Sequence, residues 1–309
     1  MNRITILKLL LSGAMLWLVL RSTRTDQLFE TLSKVSIMSA ALLTLGYVMG
    51  QCLSTLKWWV ILKTGGLKVS VARTFRAYFI GMFVNCFGFG TIGGDVSRAL
   101  IVSAGTQNKA EALSSVLADR LHGLSVLGLI GLIATIVWGG AHGFTPVLIA
   151  LCIAVPLGWV FAPRIVPKLL PEGAFKAKVI AALLMLPQRP LPLMIITVIS
   201  LVFHTTQMAL HLYMAHLYGA LIPIGKLLTS VPFVNIASTL PISWNGLGVR
   251  EQAYKFFLVP DILSIDQAVG FGALWLVAVT ASSAIGGLVS VITGSVKNAE
   301  DKKKSSTAV

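Results

Sequence analysis

The chain has 309 residues, of which 56% are hydrophobic and 12% charged, about half the ~25% charge of a soluble domain. So few polar groups could not cover a water-exposed surface, which excludes a soluble enzyme, and the apolar runs are continuous rather than alternating, which excludes an outer-membrane barrel. The net charge of +14 is distributed as membrane topology requires and does not point to nucleic acid.

A bilayer core of roughly 30 Å needs about 20 helical residues per crossing, and helices satisfy the backbone inside lipid. The first candidate span is 4–20. Arg3 and Lys8 give it the look of a signal peptide, but Arg21-Ser22-Thr23-Arg24 follows where a cleavage site would stand. It is therefore expected to remain as a helix. Further spans are expected at 35–62, 110–138, 144–161, 191–218 and 267–294. A basic, proline-bounded loop at 164–190 should hold a short interfacial helix with Phe175, Val179 and Leu183 on one face. Residues 297–309 read as a basic, disordered tail.

Two further apolar stretches, 74–98 and 227–259, are broken by glycine, proline and asparagine. Each carries a Phe-Val-Asn (Phe83-Val84-Asn85 and Phe233-Val234-Asn235), then a glycine-rich turn, then opposite charges: Asp95 with Arg98, and Arg250 with Glu251. Broken segments at matching places in two halves mark inverted-repeat transporters, so both are read as re-entrant hairpins. Three spans, an odd number, lie between them, so they would enter from opposite faces. The expected fold is all-α: a polytopic membrane protein of about six transmembrane helices plus two re-entrant hairpins in an inverted repeat. With a cytoplasmic N-terminus, most of the 25 Lys and Arg residues fall on the cytoplasmic side. Both termini are then cytoplasmic, and Arg120 is taken as the one cation within a span.

An ionisable side chain at membrane depth costs roughly 2.5–3.5 kcal/mol on insertion scales, so the few that occur mark function. In the third span Glu111, Ser115, Asp119 and His122 recur at helical steps, with Arg120 beside them. In the fifth, Thr197, Ser200, His204, Gln207 and His211 form a second polar stripe. The two stripes and the two charged hairpins imply one shared hydrophilic interior. His211 is placed near the outer interface and His142 in a loop. On the sixth span Ala278, Ser282, Gly286, Ser290 and Gly294 form a small-residue face for helix packing. Cys52, Cys86 and Cys152 have neither metal nor disulfide spacing and read as core residues. Gly88-x-Gly90-x-x-Gly93 copies a dinucleotide motif but lacks the strand and βαβ unit that the motif needs. No P-loop is present in the 309 residues, so no cofactor is expected and transport would be downhill or ion-coupled.

The run Gly93-Gly94-Asp95-Val96-Ser97-Arg98, then Asp119-Arg120, then Pro241-Ile242-Ser243-Trp244-Asn245-Gly246-Leu247-Gly248-Val249-Arg250-Glu251, resembles the lysylphosphatidylglycerol synthase transmembrane family, also called flippase-like. The resemblance covers nearly the whole chain and implies a bacterial or archaeal inner-membrane domain that flips or handles lipids or polyprenyl-linked intermediates. It carries Asp95, Arg98, Arg120, Arg250 and Glu251 over as family positions. Bifunctional members continue into a soluble aminoacyl-transferase domain; none is expected within these residues, so lysyl transfer is not implied.

The expectation is a non-enzymatic translocase or lipid-handling protein for an anionic, aminoacylated or polyprenyl-linked lipid. Its candidate substrate-binding residues are Asp95, Arg98, Asp119, Arg120, His122, His204, Gln207, Asn245, Arg250 and Glu251. Two alternatives stand beside it. One is an intramembrane enzyme using Asp119 and His122 as acid and base. The other is a non-transporting partner of a glycosyltransferase or lipid-modifying enzyme. Expected partners are membrane lipids, with such an enzyme or a second copy of the chain as candidate protein partners, and no nucleic acid.

Overall fold

The computed structural model describes residues 33, 35–87, 90–106, 108–140, 142–239, 243 and 246–306. Among them the chain forms ten α-helices and no strand: α1 (Ile37–Thr64), α2 (Val71–Phe87), α3 (Gly90–Ser103), α4 (Lys109–Trp138), α5 (Thr145–Leu169), α6 (Ala174–Leu183), α7 (Pro190–Leu217), α8 (Ile224–Thr239), α9 (Val249–Leu258) and α10 (Ile265–Ser306). Five are long and apolar enough to cross a membrane: α1, α4, α5, α7 and α10 through Thr293. They coincide with five of the six expected spans; the sixth, 4–20, lies outside the described residues. The protein is thus a polytopic helical membrane protein. Its spans expose apolar side chains such as Ile136, Leu157, Val198 and Leu288, and its polar residues are buried inside, the distribution lipid demands.

Two boundaries differ most from the sequence expectation. The expected loop beginning at 164 is helical to Leu169, because α5 runs on through Pro163 and Pro167. Each proline removes one donor, and the remaining backbone bonds hold where no water competes for them. The short helix expected in that loop follows as α6, with Phe175 exposed and Val179 and Leu183 partly buried. The second difference is the tail. Expected to be disordered from 297, it continues α10 as helix to Ser306. Extending an existing helix needs no new nucleus, and Ala299, Glu300 and Lys302–Lys304 are good helix formers.

The two broken segments are antiparallel helical hairpins. In the first, Gly94 lies against Asn85 near the turn, while Arg73 at the open end donates to the carbonyls of Ile101 (2.9 Å) and Ala104 (2.6 Å). These bonds satisfy carbonyls that the end of α3 would otherwise leave bare. In the second, Ser238 meets Gly246 near the turn, and Phe233 stacks on Phe257 at 5.4 Å between centroids further out. At 1.5 Å rise per residue, 17-residue α2 and 10-residue α9 reach about 25 and 15 Å, short of the ~30 Å hydrocarbon core.

The packing has an internal exchange symmetry. Helix α4 packs on α8 and α3, and α10 packs on α2 and α9. Swapping α1, α2, α3 and α4 with α7, α8, α9 and α10 leaves this pattern unchanged. The contacts α1–α10 and α7–α4, α1–α4 and α7–α10, and α1–α2 and α7–α8 are all present as well. The equivalent helices α1 and α7 touch, and they run antiparallel: Gly46 faces Leu210, and Gly50 faces Phe203 and Gln207. Ile61 and Ile196 share an apolar cluster farther along the same pair. Elements that correspond under this exchange thus run in opposite directions, as those of an inverted repeat would.

Each hairpin has its own core. Trp58, Ala77, Ala99, Val102 and Ala112 pack around hairpin one. Val231, Tyr254, Leu258, Phe271 and Met214 pack around hairpin two. The small-residue face of α10 seats the first hairpin. A Cβ on Gly286 would lie 1.8 Å from Phe79 O, and one on Gly287 would lie 2.7 Å from the Phe83 ring.

Candidate functional site

The site starts from Asp119, on the buried face of α4. Lys57 of α1 places its Nζ 2.9 Å from Asp119 Oδ1 and donates to the Asp119 carbonyl at 2.9 Å. Arg98 of α3 donates to Oδ2 from Nη1 at 3.1 Å and from Nη2 at 3.2 Å. One turn earlier on the same helix, Asp95 accepts from Arg98 Nε at 3.2 Å, and its other oxygen accepts from Arg120 Nε. Lys57, Asp119, Arg98, Asp95 and Arg120 therefore form one chain of alternating charge that ties α1, α3 and α4 together. Pairing of this kind lets charges stay in a low-dielectric interior.

Aromatic and small residues set the geometry. The Arg98 guanidinium lies over Trp58, 4.7 Å from its centroid, and near Tyr78 at 5.1 Å, where ring faces attract cations. Tyr78 in turn donates to Ser54 Oγ at 2.9 Å. The stem of Arg98 passes close to Gly81, where a Cβ would be 3.1 Å from Arg98 Cβ, and Gly94 brings α3 onto the backbone of α2.

This chain of charges forms one wall of a cavity of about 290 Å³. Both hairpins line it. Asn85 and Arg98 come from the first, and Asn235, Ser238, Thr239 and Arg250 from the second. Gln51, Ser54 and Lys57 of α1 and, on the helix packed against it, His204 and Gln207 of α7 line it as well. The repeated Phe-Val-Asn thus sends both asparagines to the same space, as expected of equivalent positions in a repeat. Among the described residues, neither amide atom of Gln207 nor Asn85 Oδ1 meets a hydrogen-bond partner.

The expected shared interior exists, but not every candidate belongs to it. Asp95, Arg98, Asp119, Arg120, His204, Gln207 and Arg250 line the cavity. Glu251 does not. Its Oε2 accepts the Gly248 N–H at 2.7 Å, and its carboxylate fills the space beside Gly272, so it caps the N-terminus of α9. His122 also lies off the cavity, bonded to Thr197 Oγ1 at 3.1 Å, so the Asp119–His122 acid–base pair does not share this space. His211 is completely buried in the protein, bonded to Tyr254 OH at 2.7 Å. Asn245 lies outside the described residues. The three cysteines are free and partly buried, and among the described residues no cluster of His, Cys, Asp or Glu is placed to hold a metal.

Lys57 corrects the reading that Arg120 is the one cation within a span. It lies in α1 and is 5% exposed. The signal was in the sequence: Tyr47, Gln51, Ser54 and Lys57 recur at steps of four, three and three, the same stripe pattern that marks α4 and α7. Tyr47, Tyr78 and Trp275 also line the site. No spacing rule singles them out, because an aromatic residue in a span is ordinarily lipid-facing or core.

Fold and site together define a multi-pass membrane protein with a charged cavity to which both halves of the chain contribute. The model of the lysylphosphatidylglycerol synthase TM region matches residues 5–287, and the chain belongs to that family of membrane, lipid-related proteins. No curated protein matches the chain.

Proposed function

We propose that this protein is a lipid translocase of the cell inner membrane, with both termini in the cytoplasm, that passes a lipid headgroup through its interior cavity. The carrying observation is that both hairpins and four helices converge on one cavity lined by Lys57, Asp95, Arg98, Asp119, Arg120 and Arg250. An anchor would not need these residues, since apolar side chains insert more easily. A headgroup crossing the bilayer must exchange water for polar groups along its path, and its acyl chains can stay in the surrounding lipid. Two short hairpins meeting from opposite sides would leave only a thin barrier for such a passage. The reading is transport rather than catalysis, because Asp119 is held by two cations and His122 faces elsewhere. A lipid-modifying enzyme or glycosyltransferase that makes or uses the lipid would be the natural protein partner.

Reconstituted protein should equilibrate a labelled lipid between leaflets faster than protein-free vesicles. Arg250→Ala should slow it at least tenfold while leaving the protein folded. The panel should contain an aminoacyl phospholipid, an anionic phospholipid and a polyprenyl-phosphate sugar. Folded protein that neither moves nor binds any of them would end the translocase reading in favour of a scaffold for a partner enzyme.

A further inference from the structure

The lining of the cavity is electrically unbalanced. Four cations face it, Lys57, Arg98, Arg120 and Arg250, against two carboxylates, Asp95 and Asp119. The nearby Glu251 is turned onto the N-terminus of α9 and does not line the space, and counting its charge as well still leaves four cations against three carboxylates. In surroundings of low dielectric such an excess is poorly screened, so an entering group is selected by its charge. A headgroup bearing an amine adds to the excess, and a phosphate without an amine offsets it.

The charges are also graded in depth. The side chains of Lys57, Arg98 and Asp119 are 7%, 6% and 6% exposed. Those of Asp95 and Arg120 are 20% and 29% exposed and form the accessible end of the chain. Asp119 has both oxygens engaged by buried cations. Asp95 shares one oxygen with Arg98 and gives the other to Arg120, whose bond to it uses Nε. A guanidinium carries five donors in a planar fork that matches phosphate. The carboxylate of Asp95 thus sits where a phosphate would meet Arg120. Beside this wall Gln207, 3% exposed, turns an amide with no partner among the described residues into the cavity. It can bind a glycerol or sugar hydroxyl.

We propose that the cavity selects lipids whose headgroup carries phosphate charge and no amine, and that Asp95 is an internal anion which that phosphate displaces from Arg120. The proposal rests on the lipid-handling reading and narrows it. It separates this chain from carriage of an aminoacylated lipid, whose added amine would meet the four cations.

Binding can be read on the purified full chain by tryptophan fluorescence, since Trp58 lies under Arg98 and Trp275 lines the cavity. The probes are short-chain phosphatidylglycerol, phosphatidic acid, phosphatidylethanolamine and lysyl-phosphatidylglycerol, and inorganic phosphate. The two amine-free lipids should bind at least tenfold tighter than the two amine-bearing ones. Asp95→Asn should tighten phosphatidylglycerol binding severalfold, and Arg120→Ala should weaken it at least tenfold. Should Asp95→Asn fail to fold, Asp95→Ser serves for the same comparison, and the wild-type titration decides selectivity by itself. Equal or tighter binding of lysyl-phosphatidylglycerol overturns the selectivity and leaves the translocase reading standing. Inorganic phosphate binding as tightly as the lipids makes this a free-anion site and overturns the lipid assignment. Weaker binding in a folded Asp95 variant overturns the displaced-anion role. Binding of none of these lipids sinks this proposal, and sinks the lipid reading with it if the polyprenyl-phosphate sugar also fails to bind, whereas selective binding without movement upholds the proposal and refutes translocation.

Discussion

Lys57 shows how much a single side chain can decide in this interior. It contacts both the carboxylate and the carbonyl of Asp119, so removing it leaves a buried carboxylate with one cation fewer. Lys57→Met should therefore destabilise the protein by about 3–5 kcal/mol, the range for breaking a buried pair. Lys57→Met combined with Asp119→Leu should lose clearly less than the sum of the two single changes. Thermal unfolding of the four proteins in detergent measures the coupling, and strictly additive losses would show that the two residues do not act as a pair. Glu251 makes the opposite point. As the cap of α9, its replacement by Ala should cost about 1 kcal/mol, and Glu251→Gln should cost less because an amide oxygen can still accept from Gly248. Lipid movement per folded molecule should change little in either variant. A loss of movement at unchanged stability would return Glu251 to the transport path.

The helices are positioned by close backbone contact as much as by apolar burial. At Gly286 an added methyl would meet the Phe79 carbonyl, and at Gly94 it would meet the Gly81 carbonyl at 2.4 Å. Backbone atoms cannot rotate away, so hairpin one must shift. Gly286→Ala should lower stability by about 1–3 kcal/mol, as overpacking does. Gly158 is the control. It lies inside α5 with open space around it, so Gly158→Ala should be neutral or stabilise by up to about 1 kcal/mol through helix propensity alone. Comparable losses at both positions would mean that helix propensity, not docking, governs the effect. The small-residue face of α10 was legible as a packing face from its four-residue spacing. Which element it would seat was not, because spacing along one helix carries no information about its neighbour.

At the scale of the whole molecule, the antiparallel contact of α1 with α7 and the exchange pattern of the packing relate the two halves as an inverted repeat would. If the bilayer lies across them as the spans require, the open ends of the two hairpins face opposite sides. Single cysteines near Gly93 and near Gly246, in a background lacking Cys52, Cys86 and Cys152, should then react with impermeant reagents from opposite sides. Reaction of both from one side would contradict the re-entrant arrangement. The inversion also carries an asymmetry. The first half supplies Lys57, Asp95, Arg98, Asp119 and Arg120 to the cavity, and the second supplies Arg250 with neutral polar groups. A headgroup passing between the halves would leave a region of dense, internally paired charge for one of sparse charge. Such a gradient permits release as well as capture.

The sequence by itself determined the class of this protein, the five spans among the described residues, its two broken hairpins and most of the charged positions in its interior. These follow from local physics: apolar length matched to a bilayer, glycine and proline interrupting it, and the cost of any charge that remains inside. The tertiary structure alone decided which of those charges share one space. Asp95, Arg98, Asp119 and Arg120 were legible as candidates, but their pairing, and the central place of Lys57, depend on α1, α3 and α4 meeting at one depth. Glu251 and Arg250 are neighbours in sequence and have different roles, because the first turn of a helix sends consecutive side chains to different faces. One meets the bare N–H groups at the end of α9, and the other meets the cavity.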